Sequence, residues 1–110
     1  MKQGEIWYAD LNPSKGREQS GLRPVVVISG NLLNEHLSVV IVMPLTTKIK
    51  NYKGNPVIAP NKSTGLKTGS EMLVFHVRSV SKDRLVRKLG SISKNDLDHA
   101  KKTLNDILTY

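Results

Sequence analysis

Apolar residues along this chain arrive in short runs of strand character divided by turns, until the C-terminal stretch, where the period lengthens. Gly4–Ala9 has strand propensity and is closed by Asp10-Leu11-Asn12-Pro13. Residues 13–22 form a long loop, in which Gly16 to Leu22 holds two glycines, two charges and a serine and reads as a mobile surface segment. Arg23–Ser29 is the second strand, built on the consecutive β-branched residues Val25 to Ile28. After Gly30-Asn31, residues Leu32–Leu37 predict an irregular or one-turn helical link. Ser38–Leu45 is apolar on both faces and so reads as a central strand. Asn55–Pro60 predicts a short edge strand, Lys62–Gly69 a turn-rich connection, Glu71–Arg78 a fifth strand, Ser81–Arg84 a turn and Leu85–Ile92 a sixth strand.

From Ser93 onward the pattern is helical. Ser93 and Asp96 have capping-box spacing, and Leu97, Ala100, Leu104, Ile107 and Leu108 fall on one stripe. The stripe predicts packing of this helix on the sheet, and only secondarily an oligomer surface. Together the elements predict a mainly β fold: a small, strongly bent sheet or barrel of about six strands with a C-terminal amphipathic helix. At 110 residues the expectation is a single domain spanning 1–110, large enough for one core.

Composition narrows the chemistry. There is no cysteine, which excludes disulfides and thiolate metal sites. His36, His76 and His99 lie far apart and lack metal-ligand spacing, so no metal or other cofactor is expected. No apolar run approaches the ~20 residues of a membrane span, and no signal peptide precedes the first strand. A cytoplasmic protein with no membrane partner is the expectation.

The net charge of +8 matters because of its placement. Lys94 to Tyr110 is neutral, so all the excess lies before it. From His36 to Ser70 there is no acidic residue, yet Lys48, Lys50, Lys53, Lys62 and Lys67 fall there. Such a one-sided field attracts polyanions, nucleic acid above all. Arg23 has a matching position. Pro24 biases it to extended backbone, so a cation stands where a stiff strand meets a loop, an arrangement suited to clamping an anion.

Gly4-Glu5-Ile6-Trp7, Asp10-Leu11-Asn12-Pro13, the block Gly16-Arg17-Glu18-Gln19-Ser20-Gly21-Leu22-Arg23-Pro24 with the strand after it, and Pro44-Leu45-Thr46-Thr47 resemble, in this order, the MazF/PemK/Kid-type toxins of bacterial toxin–antitoxin modules. The resemblance runs from residue 4 to about residue 92. The Glu-Gln-x-Gly-x-Arg-Pro block is its most specific part. It implies an SH3-like barrel, a homodimer, and a metal-independent, sequence-specific endoribonuclease acting on single-stranded RNA. It also implies a cognate antitoxin whose acidic, flexible tail occupies the RNA groove.

RNA carries its own nucleophile, the 2′-hydroxyl beside the scissile phosphate. Cleavage by that route leaves a 2′,3′-cyclic phosphate and a 5′-hydroxyl. The protein must help deprotonate the 2′-hydroxyl, neutralise the phosphorane and protonate the leaving 5′-oxygen. Arg23 is the first candidate, because its fork holds two phosphate oxygens at once. The resemblance places a functional arginine there and a functional threonine at Thr46, with Thr47 as its neighbour. Thr46 leaves the central strand, so its hydroxyl can donate to a phosphate oxygen from a fixed frame. Glu18 can accept a proton, pair with Arg23 before RNA arrives, or contact a base edge; Gln19 can read a base through its amide.

The chain departs from the family in the fifth strand, where some relatives carry an acid ahead of a Gln-x-Arg or Gln-x-Lys segment. Here Phe75-His76-Val77-Arg78 stands instead. On a period of two, Leu73, Phe75 and Val77 face the core while His76 and Arg78 point the other way. Imidazole titrates near neutrality, so His76 is a substitute base; the choice between Glu18 and His76 stays open. Lys48, Lys50 and Lys53 are candidates for backbone phosphates, and Arg78 joins them as a cation of the RNA face. Trp7, Tyr8 and Tyr52 are candidates for base stacking, Tyr52 the best of them and Trp7 the most core-like. The rival expectations are a non-catalytic toxin of the same barrel that poisons DNA gyrase, and an RNA-binding barrel without chemistry. The Glu-Gln-x-Gly-x-Arg-Pro block belongs to the nuclease branch and weighs against the gyrase reading.

Overall fold

The computed structural model describes residues 1–11 and 21–110. Seven strands and two α-helices follow one another: β1 (Glu5–Asp10), β2 (Leu22–Val27), α1 (Asn31–His36), β3 (Val39–Thr46), β4 (Val57–Ile58), β5 (Ser70–Met72), β6 (Arg78–Ser81), β7 (Leu85–Ser91) and α2 (Lys94–Thr109). The strands join in the order β4-β5-β3-β2-β1-β7, with β6 also paired to β3. All pairs are antiparallel. β3 is the hub, as its two apolar faces predict, and β4 lies at an edge, as its prolines predict.

Strand alternation explains the core. Val26 and Ile28 enter one cluster with Ile6, Met43, Leu45 and Ala100 of α2, while Val25 and Val27 enter a second with Ala9, Val40 and Val42. The β-branched run is therefore buried on both faces of the sheet. Each such side chain contributes about 1.5–3 kcal/mol by leaving water. The side chain of Ser93 caps α2 by accepting from the Asp96 N–H at 3.1 Å. Leu97, Ala100 and Leu104 pack on the first cluster. Ile107 and Leu108 do not: they are 48% and 78% exposed.

The predicted fifth strand is broken. A 3-10 turn over Val74–His76 divides it into β5 and β6, so the described residues hold seven strands where the sequence predicts about six. The cause is Pro44. On β3, Thr46 and Leu45 pair with Glu71 and Met72, and Val42 pairs with Arg78. Pro44 lies between these ladders and has no N–H to continue them; its carbonyl accepts from the Leu73 N–H at 2.9 Å. The break interrupts the predicted alternation, although Val77 packs on the first cluster and His76 and Arg78 are exposed as expected. Val74 is fully buried, and Phe75, expected in the core, is 50% exposed.

Candidate RNA-binding cleft

The junction of β2 and β3 brings distant residues together through strand register. Val25 pairs with Pro44, Val26 with Met43 and Val27 with Val42. Continuing that register brings Arg23, exposed near the start of β2, opposite Thr46 at the end of β3. The two residues line both of two adjoining clefts. One, of about 430 Å³, is walled by Leu22, Arg23, Pro24, Leu45, Thr46, Thr47 and Lys48. The other, of about 360 Å³, is walled by Leu11, Arg23, Pro44, Leu45, Thr46, Leu73, His76 and Arg78.

Thr46, Thr47, Lys48, His76 and Arg78 thus surround Arg23, although 55 positions separate the ends of that set in sequence, from 23 to 78. His76 reaches the cleft by way of the 3-10 turn, not by strand alternation as the sequence pattern suggests. The Thr46 hydroxyl oxygen accepts from the Lys48 N–H at 3.1 Å, which leaves the hydroxyl proton available to a group in the cleft. Two guanidinium groups, a hydroxyl and an imidazole meet there, a set that can hold a phosphate and move a proton. Among the described residues no group of three or more His, Asp or Glu side chains is placed to hold a metal ion.

Lys50, Tyr52 and Lys53 lie on the loop that leaves β3 and line neither cleft. Tyr52 is 49% exposed and meets Phe75 edge-on at 5.7 Å, and Phe75 in turn meets the His76 ring at 4.7 Å. Trp7 is partly buried, and its indole N–H donates to Glu5 Oε1 at 2.9 Å. Glu18 and Gln19 lie outside the described residues.

Two features carry weight that sequence reasoning missed. A third recess of about 480 Å³ adjoins the first cleft through Leu22, Pro24 and Thr47 and is bounded by Tyr8, Lys67, Thr68 and Arg87. There the Arg87 guanidinium lies 5.1 Å from the Tyr8 ring centre, on the β1–β7 pair that sets these two residues opposite one another. Tyr8 is visible in the sequence as an aromatic on a strand; its basic partner depends on register, which the sequence pattern does not give. The second feature is Glu71, whose carboxylate is fully buried. It accepts from the Asn55 side-chain amide at 2.9 Å and from the N–H groups of Lys50, Asn51 and Tyr52 at 2.7, 2.9 and 3.0 Å. The Asn55 bond comes first in holding this carboxyl below its ordinary range; burial opposes it, and the three backbone donors complete the effect.

Comparison with known proteins finds relatives over nearly the whole chain. The profile of the PemK-like, MazF-like toxins of type II toxin–antitoxin systems matches residues 2–108. Endoribonuclease MazF9 of Mycobacterium tuberculosis is 32% identical over 102 residues, spanning 88% of this chain and 86% of that protein. Endoribonuclease MazF of Staphylococcus saprophyticus is 36% identical over 94 residues, 84% of this chain and 78% of that protein. A crystal structure of MazE–MazF from Deinococcus radiodurans superposes with a TM-score of 0.84 at 23% identity, over 98% of this chain and 95% of that one. With the family profile matched over nearly the whole chain and two relatives above 30% identity spanning most of it, the chain belongs to the PemK-like, MazF-like toxin family of type II toxin–antitoxin systems.

Proposed function

We propose that this chain is the toxin of a toxin–antitoxin pair and an endoribonuclease that cuts single-stranded RNA at particular sequences, without a metal ion. The observation that carries the reading is the cleft in which Arg23, Thr46, His76 and Arg78 converge from four parts of the chain. The names of its relatives support the activity, and the basic stretch between residues 36 and 70 supports the polyanionic substrate.

In this reading the scissile phosphate sits between Arg23 and Thr46. A base, His76 or Glu18, takes the proton of the 2′-hydroxyl. The 2′-oxygen forms a bond to phosphorus, the phosphorane charge is held by the Arg23 fork and the Thr46 hydroxyl, and the bond to the 5′-oxygen breaks as that oxygen gains a proton. Arg78 and Lys48 hold neighbouring phosphates, and Gln19 and Thr47 contact the bases or backbone beside the cut. Lys50 and Lys53 on the adjoining loop steer the strand, with Tyr52 offering a ring for stacking. An acidic antitoxin segment competes for the same cations, and the active form is a homodimer. A cytoplasmic site of action goes with a messenger RNA substrate.

The test is incubation of purified protein with single-stranded RNA in excess chelator. Fragments ending in 2′,3′-cyclic phosphate are expected. Arg23→Ala should lower the single-turnover rate by about 10³-fold, the scale of losing a principal oxyanion donor. Intact RNA together with inhibited DNA gyrase would replace this reading with the gyrase-poisoning one. Bound but uncut RNA would leave a binding barrel.

A further inference from the structure

Resting on that reading, we propose that Glu71 is a positioning residue for RNA: its buried carboxylate is the internal anion around which the phosphate-contacting loop after β3 is wound. The loop begins at Thr47 and carries Lys48, Lys50, Tyr52 and Lys53, all exposed. Three successive backbone N–H groups, those of Lys50, Asn51 and Tyr52, converge on this one carboxylate. Consecutive amides turned inward on an anion form a nest, and Asn51 at φ 55° supplies the left-handed step that such a curl requires. Asn is among the few residues that take this conformation readily.

Burying a carboxylate is costly unless other donors replace water. Here the Asn55 amide and the backbone supply them, and among the described residues Glu71 has no salt bridge. Every donor to the carboxylate therefore comes from the loop and its end. The loop's lysine side chains take no part in holding it, so among the described residues they remain available to an external anion. The same frame reaches the cleft at two points. Glu71 is the cross-strand partner of Thr46, whose hydroxyl oxygen accepts from the Lys48 N–H, early in the loop. On the other side, Tyr52 leans on Phe75 and Phe75 on His76. Asn55 ties the ends, accepting from the Val74 N–H at 3.2 Å while its amide holds Glu71.

A loop so held contributes to RNA capture more than to bond breaking, and the experiment separates the two. Cleavage of a single-stranded RNA oligonucleotide is measured for wild type, Glu71→Gln and Asn51→Val. Glu71→Gln keeps the shape but turns an amide N–H₂ toward backbone donors. Asn51→Val strains the left-handed turn on the exposed surface and leaves the core carboxylate intact. Both are expected to raise KM about tenfold while kcat stays within about threefold. Hydrogen exchange on the wild-type chain should show the Lys50, Asn51 and Tyr52 amides protected, a readout that needs no variant. Unprotected amides, unchanged KM in both variants, or a fall in kcat at constant KM overturn the inference. A wild-type chain that leaves RNA intact overturns the proposed function and this inference with it; a cleaving wild type with indifferent variants overturns this inference alone.

Discussion

The Arg23 cleft and the lysine-bearing loop lie on either side of Thr46 and are built in opposite ways. In the cleft, functional side chains hang from strands whose backbones are fixed by ladder pairs, so position comes from register: Ala9 opposite Arg23, and Val42 opposite Arg78. In the loop there is no ladder, and position comes from one carboxylate that satisfies three amides and a side chain. A strand can present a cation at no extra cost in buried polar groups. The loop has no such ladder, and it turns its amides onto a carboxylate of its own fold.

The largest effects should come from the cleft. Arg23→Lys keeps the charge and loses the planar fork, so the comparison with Arg23→Ala divides geometry from charge. We expect Lys to recover no more than about a tenth of the wild-type rate, as the chemistry needs two oriented donors. Recovery to near the wild-type rate in a single-turnover assay would mean that the cleft, like the loop, supplies only a positive field.

Acid tests the two buried carboxylates together. Glu5, nearly enclosed, would be pushed up by burial, but the Lys2 N–H, the Trp7 indole, and the Lys88 ammonium at 3.0 Å together lower it from 4.5 to about 2. Glu71 is displaced in the same direction. A carboxylate with a depressed folded pKa adds stability above its unfolded value and gives it up as pH falls through the folded one. Stability should therefore fall from about pH 4.5 toward pH 2, with Glu5 alone accounting for up to about 3 kcal/mol. Urea unfolding at several pH values reads this directly, and Glu5→Gln should flatten the slope. In Glu71→Gln the same slope should also diminish; a profile parallel to wild type would mean that the Glu71 carboxylate is not ionised in the fold.

Much of the cleft is legible in the chain, and the loop is not, for a physical reason. A β-branched run after Arg-Pro fixes where a cation stands, and Pro-Leu-Thr-Thr marks the end of the neighbouring strand. These signals are side-chain identities. What holds the loop is backbone N–H, which every residue but proline has, so Glu71 reads in the sequence only as the first acid after a basic stretch. The break at Val74–His76 is a third case. It is written in the sequence, but on the partner strand, as Pro44, and becomes visible only when the two strands are set in register. Ile107 and Leu108 fail differently: helical periodicity tells which residues share a face, not how much of that face is covered.

His76 carries that third case into the chemistry. It enters the cleft by way of the 3-10 turn. If His76 is the base, His76→Gln should lower kcat by about 10²-fold in a single-turnover assay. A rate loss of less than about threefold would transfer the role to Glu18, and Glu18→Gln should then carry the larger loss instead.

The smallest effects belong to the loop's lysines taken one at a time, and they give the comparison its sharpest form. Each phosphate neutralised on a single strand contributes about 0.7 to the slope of log affinity against log salt. Lys48→Gln, Lys50→Gln and Lys53→Gln should each weaken RNA binding only a few-fold and reduce that slope by about this amount, equally for cleavable and non-cleavable sequences. Filter binding across a salt series measures both. A lysine whose loss alters the slope for one sequence but not another would be reading a base, and the loop would then be part of the recognition surface. A uniform reduction keeps it what its construction suggests: a belt of charge held in place from within, while the choice of cut is made across the β2–β3 junction.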